Sequence, residues 1–382
     1  MSIPPIPDVT APRAPHALDR LRNFWQRVSE GRQIDELWSQ FTADARAGYS
    51  FYITEADKEE LANRRGLARF FHIAKTLFWS LLMKLTPARR VLLLIALLAL
   101  FGFTFQVGNR AVVEIKLEFV AALPFLLLLA LELADKVTMK RDLEIAREIQ
   151  TWLVPSQPPE VAGADMAFAT RPQNSVAGDY YDTFYPNPDK RERLMVVIAD
   201  VAGKSVPAAL LMATMQASLR TIAGEDTPLA ELVTRLNRYA CAHSLDGRRF
   251  TTAVISEYNP LSRRLTYVNA GHNAPILRRA NGALEPLEVG GLPLGIELNS
   301  SYETSTVELR PGDALIFFTD GVVEAFNESG EEFGNERWLG AIRGLPDWNA
   351  QETLRFLMKR VDEFVGPTRQ SDDITCLVFR SR

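Results

Sequence analysis

Cysteine is scarce in this chain of 382 residues, which contains only Cys241 and Cys376. Two cysteines exclude a disulfide-stapled fold and are typical of a protein from a reducing compartment. A basic excess is also absent, because 43 Lys and Arg face 47 Asp and Glu for a net charge of −4. Nucleic acid is therefore not an expected partner. With 47% hydrophobic residues, the chain is long and apolar enough for two or three folded units, which excludes disorder throughout.

The first part of the chain carries no motif with recognisable chemistry. Residues 1–16 are rich in proline and lack the basic start and apolar run of a signal peptide, so we expect a disordered tail. Residues 17–68 repeat apolar side chains at helical spacing, which predicts a small helical region. This region could receive a signal or dock a partner, but helical packing alone explains its pattern.

Two long apolar runs follow. Residues 91–107 contain no charge in 17 positions, and residues 119–134 form a second run that includes Pro124 and Glu132. A membrane-spanning helix needs about 20 apolar residues, with about 17 as the lower limit. We therefore predict that residues 69–137 form an interfacial helix (69–85) and a two-helix membrane hairpin. The alternative is a pair of buried helices in a soluble bundle.

Charge placement favours the membrane hairpin over the soluble bundle. The connection between the two runs carries two basic residues, Arg110 and Lys116. Six others lie outside the runs: Lys84, Arg89, Arg90, Lys136, Lys140 and Arg141. Because basic residues are enriched in cytoplasmic segments, this distribution predicts that both ends of the hairpin lie in the cytoplasm. The predicted location is a membrane, with the rest of the chain on the cytoplasmic side.

Residues 138–155 are predicted to form a helical linker. Ile145, Ile149 and Trp152 form an apolar stripe at spacings of four and three, flanked by charges. This stripe either pairs with a second copy of the chain, giving a homodimer, or packs against its own domain. Pro155 ends the helix. A domain over residues 156–382 begins there.

From residue 160 the pattern changes to short strands with helices between them. Apolar and β-branched runs predict strands over residues 194–199, 251–258, 265–269, 314–318 and 374–379. Ser205 and Pro207 are typical of a helix start, and residues 352–365 form a second amphipathic helix. Strands separated by long stretches of sequence, together with helices, predict an α+β domain in which helices cover packed sheets.

Aspartates stand at the ends of these predicted strands: Asp179, Asp182, Asp200, Asp320, Asp372 and Asp373. Singly, each has an ordinary explanation as a turn residue or a solvated acid. If several met at one end of a sheet, their repulsion would require bound cations. A set of oxygen donors without a His or Cys cluster favours Mg²⁺ or Mn²⁺ over Zn²⁺. Two such ions suit the hydrolysis of a phosphate ester.

Three other features are weaker candidates for chemistry. Gly203-Lys204-Ser205 resembles the end of a P-loop, but Ile198 stands where that loop needs its first glycine. Cys376 and Arg382 have the spacing of a cysteine phosphatase, but the residues between them predict a strand and not a phosphate-binding helix start. His272 is a lone loop histidine, a type that is more often structural, and it is left without a role.

Six motifs in order resemble one family. They are AGDYYD (177–182), IADVAGKSVPAALLMA (198–213), NAGHNAPIL (269–277), LPLG (292–295), LRPGDALIFFTDGVVEA (309–325) and SDDIT (371–375). From about residue 145 onwards, the chain resembles the SpoIIE-type, RsbU-like branch of the metal-dependent PPM (phosphatase 2C-like) serine/threonine phosphatases. The resemblance says nothing about residues 1–140.

The resemblance implies a fold and a set of site residues. The expected fold is an α-β-β-α sandwich with two Mn²⁺ or Mg²⁺ ions at one edge. By motif, Asp200 would bridge both ions and the Val201 carbonyl would bind one of them. Asp320 and Asp372 would hold the other ion, and Asp179 would support the first through water. Asp373 could exchange roles with Asp372, and Asp200 and Asp320 are the expected catalytic residues.

The resemblance also implies a function. Members of this branch typically dephosphorylate phosphoserine or phosphothreonine on small STAS-type anti-sigma-factor antagonists, in partner-switching pathways. The helix at the domain entrance generally transmits the state of an N-terminal sensor by dimer rearrangement. Ala202 stands where eukaryotic relatives have a histidine proposed as general acid, so the proton for the leaving oxygen would come from water. The alternatives are a catalytically weak, membrane-bound scaffold with the same fold and a hydrolase for small phosphoesters.

Overall fold

The structure is a computed structural model that describes residues 78–79, 82–83, 85–100, 117–243, 249–288 and 290–382. The predicted tail (1–16) and helical region (17–68) lie outside these residues, as do most of the predicted interfacial helix (69–85) and the end of the first apolar run. The chain divides into two compact units, Met1–Ala134 and Asp135–Arg382.

Before the first strand, the described residues include the helices α1 (Pro87–Leu100) and α2 (Leu117–Leu153). The Arg89 guanidinium donates a hydrogen bond to the Glu132 carboxylate at 3.1 Å, which joins the two helices. Helix α2 continues without a break through residue 137, where we predicted a border between the hairpin and the linker, and it ends at Leu153, two residues before Pro155. Within the described ranges, no helix combines the length and apolar character needed to cross a membrane. The membrane hairpin stays a prediction.

The second unit contains two five-stranded antiparallel sheets. In chain order its strands are β1 (Ala164–Arg171), β2 (Tyr180–Phe184), β3 (Leu194–Val201), β4 (Thr251–Asn259), β5 (Arg264–Ala270), β6 (Ile276–Arg278), β7 (Leu284–Pro286), β8 (Ser305–Glu308), β9 (Ala314–Phe318) and β10 (Ile374–Ser381). One sheet has the strand order β1-β10-β9-β6-β7, and the other has the order β2-β3-β4-β5-β8.

In the part of this unit that the structure describes, five helices accompany the sheets: α3 (Val206–Ala223), α4 (Leu229–Ala242), α5 (Asp320–Val323), α6 (Gly334–Arg343) and α7 (Ala350–Val365). Side chains of α3 and α4 share a buried core with β3, β4 and β5. Side chains of α6 and α7 share another with β9 and β10. A third core lies between the two sheets. This order of layers confirms the predicted α+β sandwich of two sheets between helices.

The central strands are buried on both faces, which explains their unbroken apolar sequences. In β3, Leu194, Val196 and Ile198 face the core between the sheets. The alternate residues Met195 and Val197 face α3 and α4. Each such side chain contributes about 1.5–3 kcal/mol through burial, so these strands hold the layers together.

Candidate active site

Four of the five predicted metal-binding aspartates lie at neighbouring strand ends, and the fifth begins a helix next to them. Asp179 precedes β2 and Asp200 is the second-last residue of β3, and these strands pair with Tyr180 opposite Ala199. In the other sheet, Asp320 follows the end of β9 with Thr319 between them, and Asp372 and Asp373 precede β10. Strands β9 and β10 pair with Phe318 opposite Cys376. Because antiparallel pairing places one strand's end beside its neighbour's start, each sheet gathers its acids at one end.

Hydrogen bonds join the two groups of acids across the sandwich. The Thr319 hydroxyl, next to Asp320, donates to Asp179 Oδ2 at 2.9 Å. The two oxygens of Asp373 accept from the backbone N–H groups of Gln173 at 2.7 Å and Gly178 at 2.6 Å. Aspartates that are far apart in sequence therefore lie within one small region.

Burial and mutual repulsion disfavour negative charge on this cluster. Burial, followed by the charge of Asp200, raises the pKa of Asp179 well above its usual range. Burial, followed by the charges of Asp320, Asp372 and Asp373, raises the pKa of Asp200 to about 7. The pKa of Asp320 and that of Asp373 are also raised, in both cases chiefly by burial. Such a cluster is stabilised when cations bind it.

The donor chemistry of this region fits hard divalent ions. The cluster offers carboxylate oxygens, and the Val201 carbonyl oxygen lies beside them. A Cβ atom on Gly178 would lie 3.1 Å from the Val201 oxygen and 3.6 Å from Asp200 Oδ1, so both oxygens face the space that glycine leaves open. Oxygen-only sites of this kind suit Mg²⁺ and Mn²⁺.

The carboxylates are held by protein donors as the structure stands. In the described part of the chain, no three carboxylate, imidazole or thiol groups are arranged to hold one ion. Asp372 Oδ2 lies 2.8 Å from the ammonium of Lys204, and Asp372 Oδ1 accepts from the Asp373 N–H at 2.9 Å. An ion that binds Asp372 must therefore displace or share one of these donors.

The loop after β3 brings Lys204 to the cluster through an unusual backbone. Gly203 and Ser205 both have positive φ values, 115° and 66°. A side chain at position 203 would collide with the guanidinium of Arg249, whose Nη1 donates to the Ala202 carbonyl at 3.1 Å. Helix α3 begins after Ser205 as predicted, but the Ser205 side chain makes no capping hydrogen bond, and its φ of 66° differs from the extended backbone typical of an N-cap.

Two candidate residues from the sequence lie in structural roles instead. Asp182 is fully buried on β2, where it accepts two hydrogen bonds from Arg220 and one from the Tyr180 hydroxyl. His272 is buried between the sheets, and its ring nitrogens lie 2.8 Å from the Thr252 hydroxyl and 3.2 Å from the Phe318 carbonyl. These contacts use the polar groups of both side chains, so neither is placed to act on a substrate.

Sequence reasoning missed three residues of this region. Thr319 holds Asp179, but nothing in the sequence separates it from an ordinary residue before a turn. In the sequence, Lys204 is notable only as part of Gly203-Lys204-Ser205, which resembles the end of a P-loop but lacks the first glycine of that loop. Gly321 is visible in the sequence as part of an Asp-Gly pair, which is typical of a tight turn. The structure gives another reason for glycine at this position, because a Cβ atom there would lie 2.0 Å from the Asp373 carbonyl oxygen.

A further contact joins the end of α2 to the loop that carries Asp179. The Gln150 amide donates to the Ala177 carbonyl at 2.7 Å and accepts from the Ala177 N–H at 2.9 Å. Farther along, the Gln216 amide donates to the Leu153 carbonyl at 3.1 Å. The last turns of α2 are therefore fixed to the loop before β2 and to α3.

Comparisons with known proteins agree with this geometry. The model of the family described as Stage II sporulation protein E (SpoIIE) matches residues 190–382, half of the chain. Protein IcfG of Synechocystis is 27% identical over 282 residues, which are 66% of this chain and 44% of that protein. Phosphoserine phosphatase RsbU of Bacillus subtilis is 29% identical over 193 residues, 50% of this chain and 56% of that protein. The chain thus spans about half the length of these relatives.

Solved structures show the same fold. The SiaA-PP2C domain of Pseudomonas aeruginosa has a TM-score of 0.58 at 21% identity, over 65% of this chain and 99% of that one. The PP2C phosphatase domain of SpoIIE from Bacillus subtilis, with a fragment of its regulatory domain, has a TM-score of 0.51 at 19% identity, over 58% of this chain and 64% of that one. The chain belongs to the SpoIIE family, as the sequence motifs predict.

Proposed function

We propose that this chain is a divalent-metal-dependent protein phosphatase that hydrolyses phosphoserine or phosphothreonine. The observation that carries the proposal is the convergence of five aspartates, from the two sheets, at one end of the sandwich. The curated relative RsbU, a phosphoserine phosphatase, supports the same reaction.

The chain's own residues have distinct tasks in this proposal. Asp200 would contact two Mn²⁺ or Mg²⁺ ions, with the Val201 carbonyl and Asp179 on one side and Asp320 and Asp372 on the other. When bound, two such ions make a water molecule a better nucleophile and hold the phosphate oxygens. Asp373 fixes the loop of Asp179 by accepting from the Gly178 N–H. No side chain is needed as the nucleophile.

We propose a phosphorylated STAS-type anti-sigma-factor antagonist as the substrate, in a partner-switching pathway. The motifs shared with the RsbU-like branch support this choice. The apolar stripe on α2 supports a homodimer formed through the linker, since Ile145, Ile149 and Trp152 are all exposed, Trp152 by 74%. Apolar side chains exposed at helical spacing suit pairing between helices.

We also propose that the chain is attached to the bacterial cytoplasmic membrane, with the phosphatase domain in the cytoplasm. The two apolar runs and the basic residues that flank them support this location. Carbonate extraction of the expressed chain tests it. Recovery in the membrane pellet would support attachment, and recovery in the soluble fraction would contradict it.

Phosphate release from a phosphorylated STAS-domain protein tests the proposed reaction. With Mn²⁺ present, Asp200→Asn and Asp320→Asn should each lower the rate by about a hundredfold or more, because each loses a carboxylate of the ion site. Asp189→Asn, at an exposed position between β2 and β3, makes the same chemical change away from the site and should keep the rate. Undiminished release by Asp200→Asn would refute the site, and no release by the unaltered chain would favour the scaffold.

A further inference from the structure

The ammonium group of Lys204 lies among the aspartates. Its Nζ is 2.8 Å from Asp372 Oδ2 and donates to the Ser371 carbonyl at 2.9 Å. Among the described residues, Lys204 is the one basic side chain that forms an ion pair with any of the five aspartates. The proposed function gives this lysine no task.

The backbone around Lys204 fixes its position. Gly203 and Ser205, on either side, have positive φ values. The Ala202 N–H donates to the Phe250 carbonyl at 2.8 Å, and Arg249 donates to the Ala202 carbonyl. A serine with a positive φ is strained, and such strain persists only where the surrounding contacts hold it. These contacts orient the loop so that the lysine reaches Asp372.

Both oxygens of Asp372 are occupied by donors of unequal kind. Oδ1 accepts from a backbone N–H one residue away, and that donor cannot move independently of Asp372. Oδ2 contacts the tip of a flexible side chain that is half exposed to solvent. An ion approaching Asp372 therefore has one donor that it can readily displace, the ammonium of Lys204.

The positive charge of Lys204 also offsets part of the negative charge of the aspartates. Its positive charge lowers the pKa of Asp200 and that of Asp320, against the raising effects of burial and of neighbouring acids. A divalent ion at the same place would supply the same compensation more strongly. The lysine and the ion therefore compete for one carboxylate.

We propose that Lys204 is a tethered counter-ion that binds Asp372 in the metal-free site and leaves it when a divalent ion binds. This inference rests on the proposed metal-dependent function. It makes Lys204 a positioning residue that keeps the cluster assembled without metal and sets how tightly the ion beside Asp372 is held.

Mn²⁺ binding to the full chain, measured by electron paramagnetic resonance of the free ion, tests the competition without any substrate. Lys204→Met should bind the more weakly held Mn²⁺ about three- to tenfold more tightly, because the competing charge is gone. Lys204→Arg keeps the charge and should resemble the unaltered chain. Lys359→Met removes a lysine paired with Glu363 on α7 and should leave Mn²⁺ affinity unchanged.

Thermal unfolding separates exchange with the metal from a merely structural role. In EDTA, Lys204→Met should unfold about 1–3 °C lower than the unaltered chain, since the acids lose their counter-charge. In saturating Mn²⁺ the two proteins should unfold at the same temperature, because the lysine has already left Asp372. An equal loss of stability in both conditions would overturn the proposal, as would unchanged or weaker Mn²⁺ binding by the Met variant.

Failure of this inference is distinguishable from failure of the proposed function. If the unaltered chain binds Mn²⁺ and releases phosphate while Lys204→Met binds Mn²⁺ no more tightly, the role of Lys204 alone is wrong. If the unaltered chain binds no Mn²⁺, both are wrong.

Discussion

Asp182 and Asp200 show how similar residues acquire different roles. Asp182 lies on β2 and Asp200 lies on the neighbouring strand β3, and each is next to apolar residues in the sequence. Asp182 is paired with the guanidinium of Arg220, 38 positions away on α3, which makes it a structural acid. Asp200 instead lies near other carboxylates, and its pKa rises to about 7. Sequence patterns alone cannot separate the two, because the decisive partners are distant along the chain.

Gly321 is a residue-scale test of the site's packing. Gly321→Ala would place a methyl group 2.0 Å from the Asp373 carbonyl oxygen, so the Asp372–Asp373 loop must shift. We expect a loss of about 2 kcal/mol in unfolding free energy and weaker Mn²⁺ binding. Gly340→Ala on α6 is the control, because its Cβ atom would meet nothing within 4 Å and alanine favours a helix. Urea unfolding and Mn²⁺ titration of both variants provide the comparison, and equal behaviour would count against this packing.

His272 predicts a pH dependence of stability that is independent of metal. The Phe318 carbonyl can only accept, so Nε2 carries the hydrogen and Nδ1 accepts from Thr252. Burial lowers the pKa of His272 from 6.5 to about 4. Below pH 6.5 the unfolded chain therefore binds a proton that the folded chain does not, so stability is lost as the pH falls toward 4.

The size of this effect follows from the pKa difference and is checked by substitution. Between pH 7 and pH 4, the unaltered chain should lose about 3 kcal/mol more unfolding free energy than His272→Gln, which cannot take up that proton. Urea unfolding at a series of pH values measures the difference between the two proteins. Identical pH slopes would show that His272 is charged or exposed in the folded state.

At the scale of elements, the end of α2 is held to the Asp179 loop by one side chain. Ala177 is buried, and both of its backbone groups bond to the Gln150 amide. Gln150→Ala should cost about 1–3 kcal/mol, because these groups lose their partners. It should also speed hydrogen exchange at residues 177–179. Glu148→Ala, at an exposed position of the same helix, should change neither, and an unaltered exchange rate in Gln150→Ala would contradict the described contact.

The elements that could be predicted are those whose burial produces a recognisable pattern of apolar residues in the sequence. The strands β3, β4, β5, β9 and β10 are continuous apolar or alternating runs, and their predicted limits agree with the structure to within two residues. The helix α7 was predicted from Leu354, Leu357 and Val361, which are all buried. Strands β6 and β7 have three residues each, too few to show a period, and β2 contains an acid among its five residues. Helices α4 and α6 were not predicted.

At the scale of the whole molecule, the convergence of the aspartates depends on sheet pairing. The sequence shows acids at strand ends, but the register that sets Asp179 beside Asp200 forms between distant segments. In the sequence, only the resemblance to a known family implies that arrangement. Thr319 and Lys204 could not be predicted because their partners, Asp179 and Asp372, are brought to them only by folding.

The central claim is that aspartates from two sheets together bind divalent ions. Calorimetric titration of the full chain with Mn²⁺ tests it most directly, comparing Asp200→Asn with the exposed-site control Asp189→Asn. We predict two bound ions for the unaltered chain and for the control. For Asp200→Asn we predict loss of at least one ion or an affinity about a hundredfold weaker, because Asp200 contacts both ions in this account. Undiminished binding of both ions by Asp200→Asn would contradict it.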